Sequence, residues 1–164
     1  MNKKLTTVDF NGTKEQAEKL LAVIAKHAGE KGAMMPILQE AQEIYGYLPL
    51  EVQEIIAAKT GTPLEEIFGI VSFYAQFKLN PDGQYAIAVC LGTACYVKGS
   101  GDIIEEFSKK LNVPVGSTSP DGKYSIEATR CIGACGLAPV LTVNGEVYGR
   151  VTVDQVDGII AKYQ

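Results

Sequence analysis

The chain has 164 residues, 46% of them apolar, and a formal charge of −4 at neutral pH. That is enough for one large domain or two small ones with a real core, and the acidic balance excludes a strongly basic nucleic-acid surface. No stretch approaches the roughly 18 to 20 apolar residues of a membrane span, and the basic start lacks the apolar run of a secretory leader, so a cytoplasmic protein without direct membrane insertion is expected.

Residues 1–12 read as an irregular start. Thr13-Lys-Glu-Gln16 has the form of a capping box, and Ala17, Leu20, Leu21, Ile24 and Ala28 follow at helical spacing, which predicts a helix over 14–28. His27, near its end, reads as a solvated residue favoured by the helix C-terminus rather than as a ligand. Gly29 and Gly32 break the chain, and Pro36 suits the first position of a second helix with Ile37, Leu38, Ala41, Ile44 and Tyr45 on its apolar face and Gly46 at its end. A third helix is expected over 50–59, with Val52, Ile55 and Ile56 inward and Gly61 as its stop. Thr62-Pro-Leu-Glu65 reads as a further capping box opening a fourth helix that runs at least to Ile70. Val71–Phe77 fits helix or strand, and its aromatics are expected to serve core or inter-domain packing.

Asn80-Pro-Asp-Gly83 is a turn cluster, so the pattern divides the chain into a helical bundle over 1–80 and a second domain over 81–164. Tyr85–Val89 reads as a strand that delivers Cys90. Gly99–Asp102 reads as a turn and cap for a helix carrying Ile103, Ile104, Phe107 and Leu111, and 114–122 as a polar loop. Lys123–Thr129 alternates like a strand and leads to Cys131. Val140–Val143, Asn144-Gly145 and Glu146–Tyr148 form a hairpin, and Thr152 caps a last helix with Val156, Ile159 and Ile160 inward. The second half therefore reads β-α-β-β-β-α, a small sheet flanked by two helices, and the whole chain as an α+β or α/β protein.

The four cysteines of the chain form two tight pairs, Cys90-Leu-Gly-Thr-Ala-Cys95 and Cys131-Ile-Gly-Ala-Cys135, both beginning at strand ends. In a reducing compartment such pairs point to metal or redox use. Structural zinc favours two intervening residues, and a catalytic dithiol uses C-x-x-C, a spacing neither pair has. A [2Fe–2S] rhomb takes four thiolates over a wider footprint, which intervals of four and three residues suit. Gly92, Gly133 and Gly136 are expected to let backbone amides approach sulfur, and Lys98 and Arg130 flank the loops, the latter reading equally well as a solvated strand end. On spacing alone, an iron–sulfur cluster, zinc, and a disulfide or free thiols all remain open. There is no nucleotide fingerprint and no catalytic triad, so the expected role is that of a carrier, with a thiol-disulfide oxidoreductase as the alternative of a different class.

From about residue 16 onward the chain resembles the thioredoxin-like [2Fe–2S] ferredoxin subunits, the E-subunit family of NADH:quinone oxidoreductase shared with NAD(P)-linked hydrogenases and formate dehydrogenases. The resemblance runs through Pro36-Ile-Leu-Gln-Glu-Ala-Gln, Tyr45-Gly-Tyr-Leu-Pro49, Ser72-Phe-Tyr-Ala-Gln-Phe77, Val89-Cys-Leu-Gly-Thr-Ala-Cys95, Ser119-Pro-Asp-Gly122, Arg130-Cys-Ile-Gly-Ala-Cys-Gly-Leu-Ala-Pro139 and Val143-Asn-Gly-Glu-Val-Tyr-Gly149. It implies a thioredoxin-like domain in the second half, and one [2Fe–2S] cluster on Cys90, Cys95, Cys131 and Cys135. It implies a flavin- and NAD(P)-binding partner subunit that carries FMN and is met by the N-terminal helices, with further iron–sulfur subunits beyond it. The chain ends soon after its last helix, which favours a soluble NAD(P)-linked or electron-bifurcating hydrogenase over the peripheral arm of NADH:quinone oxidoreductase or the formate dehydrogenase gamma subunit.

Overall fold

The structure, a computed structural model, describes residues 8–163. The irregular start expected over 1–12 thus lies outside the described residues for its first seven positions. The chain divides into two compact units, Met1–Pro81 and Asp82–Gln164.

Among the described residues, the first unit contains four helices: α1 (Lys14–Lys26), α2 (Met34–Tyr45), α3 (Leu50–Thr60) and α4 (Leu64–Phe73). The capping box forms as expected: the Gln16 N–H donates to Thr13 Oγ1 at 3.2 Å, and the Thr13 N–H donates to Gln16 Oε1 at 2.9 Å. Leu20, Leu38, Leu48, Val52, Ile56 and Ile67 are fully buried at the centre, each worth roughly 1.5–3 kcal/mol of transfer free energy. Gly46 and Gly61 end α2 and α3 at φ of 81° and 73°, the left-handed conformation that a Cβ disfavours. Gln42 ties the segment after α4 back to α2: its Oε1 accepts from the Lys78 N–H at 2.7 Å and its Nε2 donates to the Gln76 carbonyl at 2.8 Å.

Four local expectations change. Pro36 is the third residue of α2, not the first. The capping box at Thr62 is absent, because Pro63 itself occupies the cap position and the Thr62 N–H donates to Thr60 Oγ1 at 3.3 Å. Of the aromatics in Val71–Phe77, Phe77 enters the core but Phe73 is 80% exposed and Tyr74 stacks edge-on against it, with ring centroids 5.1 Å apart. His27 is buried rather than solvated, with Nδ1 2.8 Å from Glu30 Oε2 and Nε2 2.6 Å from Glu40 Oε1, so it ties the end of α1 to α2.

The second unit holds β1 (Tyr85–Cys90), α5 (Thr93–Val97), α6 (Ser100–Leu111), β2 (Ser117–Thr118), β3 (Tyr124–Thr129), β4 (Val140–Val143), β5 (Glu146–Gly149) and α7 (Val156–Ala161). The strands form one sheet in the order β2-β3-β1-β4-β5, with β1 and β3 parallel and the remaining neighbours antiparallel. Parallel neighbours need a crossover, which α6 provides. Alternation puts Ile87 and Val89 of β1, Ile126 of β3, and Leu141 and Val143 of β4 into one core with Ile103, Ile104 and Phe107 of α6 and Val156 and Ile159 of α7. Asn144 and Gly145, at φ of 50° and 85°, make the tight turn between β4 and β5. The mixed sheet and helices agree with the expected class. Two short elements were not foreseen: α5 inside the first cysteine loop, and β2 in what reads as a polar loop.

Candidate metal centre

Sheet topology brings the two cysteine segments together. β1 and β3 run parallel and adjacent, with Cys90 paired to Thr129, so both chains leave the sheet at the same edge. The Leu91 N–H donates to the Thr129 carbonyl at 2.9 Å and extends that pairing one residue beyond β1. Cys131 follows two residues after β3. β4 then returns antiparallel to β1, with Leu141 opposite Val89, and closes the second segment against the same edge. Two strands about 4.8 Å apart therefore launch both segments side by side.

Gly92 is where they touch. A Cβ on it would lie 3.1 Å from Cys131 Cβ, 3.3 Å from Cys131 Cα and 3.4 Å from Cys90 Sγ. No other residue type leaves that gap, which accounts for a glycine at this position. Of the other two glycines expected at the site, Gly133 is needed for its φ of +85° and Gly136 faces open space.

The sulfurs form a buried pair and an exposed pair. Cys90 and Cys95 are each 2% exposed and pack with Ala138 and Val140. Cys95 sits on α5, whose single turn brings its thiol back to hydrogen-bond Cys90. Cys131 and Cys135 are exposed, with their sulfurs 3.5 Å apart. Burial opposes ionisation of Cys90, but the backbone N–H groups of Gly92 and Ile132 and the Cys95 thiol outweigh it and hold the Cys90 thiol below its ordinary pKa. Burial pushes the Cys95 thiol up, against the pull of the Val140 N–H. Cys135 is raised by its hydrogen bond with Cys131 and by the charge that Cys131 would carry. Several thiolates crowded together repel one another, and a bound cation removes that penalty.

The donor set can be matched to a metal group by count. Structural zinc draws four donors around one ion, whereas a [2Fe–2S] rhomb takes two thiolates at each iron. Two thiol pairs meeting across Gly92, with amides already turned toward sulfur, fit the second group. The amides of Ile132 and Val140 escaped sequence reasoning because any residue type supplies a backbone N–H. Lys98 and Arg130 are both exposed beside the loops.

A family model described as thioredoxin-like [2Fe–2S] ferredoxin matches residues 20–164. The NADP-reducing hydrogenase subunit HndA of Solidesulfovibrio fructosivorans is 44% identical over 134 residues, covering 82% of this chain and 78% of that protein. The E-subunit of the NADH-quinone oxidoreductase of Rickettsia conorii is 34% identical over 166 residues, covering 100% of this chain and 99% of that protein. Among solved structures, a chain of an NAD+-reducing [NiFe]-hydrogenase in the air-oxidized state is similar in fold, with a TM-score of 0.55 at 20% identity over 93% of this chain. This chain spans 24% of that hydrogenase chain.

Proposed function

This chain belongs to the family of thioredoxin-like [2Fe–2S] ferredoxins, and from that premise we propose that Cys90, Cys95, Cys131 and Cys135 hold one [2Fe–2S] cluster in an electron-transfer subunit of an NAD(P)-linked hydrogenase. The observation that carries the reading is the delivery of all four thiols to one sheet edge by β1, β3 and β4, with Gly92 between the pairs. When bound, the cluster would accept or give one electron at a time. Cys90 and Cys95 anchor it in the apolar corner made by Ala138 and Val140. Cys131 and Cys135 hold its exposed side, where Ile132 and Leu137, each 45% exposed, lie beside them for a partner to cover. The Gly92, Ile132 and Val140 amides offset negative charge on sulfur.

Hydride chemistry falls to a partner subunit that binds flavin and NAD(P), with further iron–sulfur subunits beyond it. We assign residues 1–80 to docking that partner and 81–164 to the cluster. The exposed Phe73 and Tyr74 at the end of α4 support a docking role for the helical unit. We place the complex in the cytoplasm, where thiols stay reduced; no helix among the described residues is long and apolar enough to cross a membrane. The second reading, a subunit of an NADH-quinone oxidoreductase, is supported by the end-to-end match to the Rickettsia conorii protein.

Anaerobic purification of the native assembly through a tag on this chain tests the proposal. A flavoprotein that oxidises NADH or NADPH should co-purify with hydrogenase activity. Quinone reductase activity in its place moves the assignment to the second reading, and recovery of the chain alone contradicts both.

A further inference from the structure

Thr129 ends β3 with its hydroxyl oxygen buried and, among the described residues, without a hydrogen-bond partner. Such orphans are uncommon, because a hydroxyl removed from water keeps its need for a partner. Gln53 Oε1 and Ser100 Oγ share the condition. Gln53 lies in the helical unit and Ser100 opens α6, and neither pairs with a cysteine-bearing strand.

Thr129 differs by its place. It is the register partner of Cys90 across the parallel β1–β3 pair. In-register residues on adjacent strands put their side chains on the same face, about 4.8 Å apart. That face is the one turned away from α6 and α7, since Val89, one residue before Cys90, and Ile126, three residues before Thr129, both belong to the helix-covered core. Cys131 follows two residues later. The hydroxyl-bearing residue therefore shares a sheet face with Cys90 and lies two residues before Cys131.

We propose that Thr129 Oγ1 donates a hydrogen bond to a sulfur of the bound cluster and thereby sets its reduction potential. The inference rests on the four-cysteine reading above. Reduction adds negative charge that is spread over the sulfurs, so a donor aimed at sulfur favours the reduced state and raises the potential. The backbone amides supply such donors whatever the sequence. The hydroxyl is a donor that a single substitution removes or keeps.

Redox titration of the anaerobically prepared full-length protein, followed by the EPR signal of the reduced state, tests this in the unaltered chain, Thr129→Val and Thr129→Ser, with iron and acid-labile sulfide assayed in each. Thr129→Val keeps the shape without the hydroxyl. At the unaltered protein's midpoint its ratio of reduced to oxidised cluster should fall roughly tenfold, while Thr129→Ser stays within about twofold. Thr129→Ala takes the place of the valine variant if the latter does not load iron. A hydroxyl-free variant with full iron and an unchanged reduced fraction overturns the role of Thr129 and leaves the cluster assignment standing. Iron and sulfide missing from the unaltered protein overturn both.

Discussion

The helical unit and the cysteine edge of the second unit are held together in opposite ways. The helical unit is locally determined: a capping box at Thr13, left-handed glycines after α2 and α3, and a continuous apolar centre from Leu20 to Phe77. The cysteine edge depends on strands far apart in sequence, on a small buried group of Cys90, Cys95, Ala138 and Val140, and on two sulfurs left in solvent. One region has its stability built in, whereas the other joins a small buried group to two exposed thiols. A group bound by the four thiols would complete the order at that edge, since thiolates held together repel until a cation joins them.

The contrast breaks most visibly at a ligand. Cys131→Ser should remove or strongly alter the cluster, because a serine oxygen is a harder donor than thiolate; iron content and EPR report it, while far-ultraviolet circular dichroism of the helices should barely change. In the other direction, Leu38→Ala should destabilise the helical unit by about 2–5 kcal/mol, seen in chemical denaturation, and leave the visible absorbance of the cluster in place. Gly92→Ala pushes a methyl group against Cys131 and should cost about 1–3 kcal/mol, read as weaker iron retention under chelator. Thr13→Ala should cost about 0.5–2 kcal/mol in the helical unit alone, through loss of the cap.

The subtlest effect is on pH dependence. Hydrogen bonds to Glu40 and then Glu30 raise the His27 pKa above 6.5, so its contribution to stability is fully present below that value and is lost as pH rises through the raised one. The His27 hydrogen bond likewise lowers Glu40 below 4.5, so that contribution is present above 4.5 and fades as acid is added. Stability of the helical unit should therefore decline on the alkaline side of 6.5, and His27→Gln should flatten that decline in denaturation midpoints measured across the range.

How much of this was legible in the sequence follows the same division. The stops at Gly46 and Gly61 and the boxes at Thr13 and Thr152 could be read because each depends on residues close together in the chain. The cysteine pairs stood out by rarity and spacing, whereas the parallel pairing of β1 and β3 was found only in the structure. The burial of His27 could not be read, since its partner Glu40 lies thirteen positions away on another helix. The five residues of α5 and two of β2 are too short to show a period. The exposure of Phe73 also escaped, because aromatics three and four apart look the same whether they face a core or solvent.

The central claim is that four thiols at one sheet edge hold a binuclear iron group. Metal and acid-labile sulfide analysis of the anaerobically prepared full-length chain tests it most directly. About two iron and two sulfide per chain are expected. Zinc without sulfide, or thiols that titrate freely in a protein holding no metal, would contradict it.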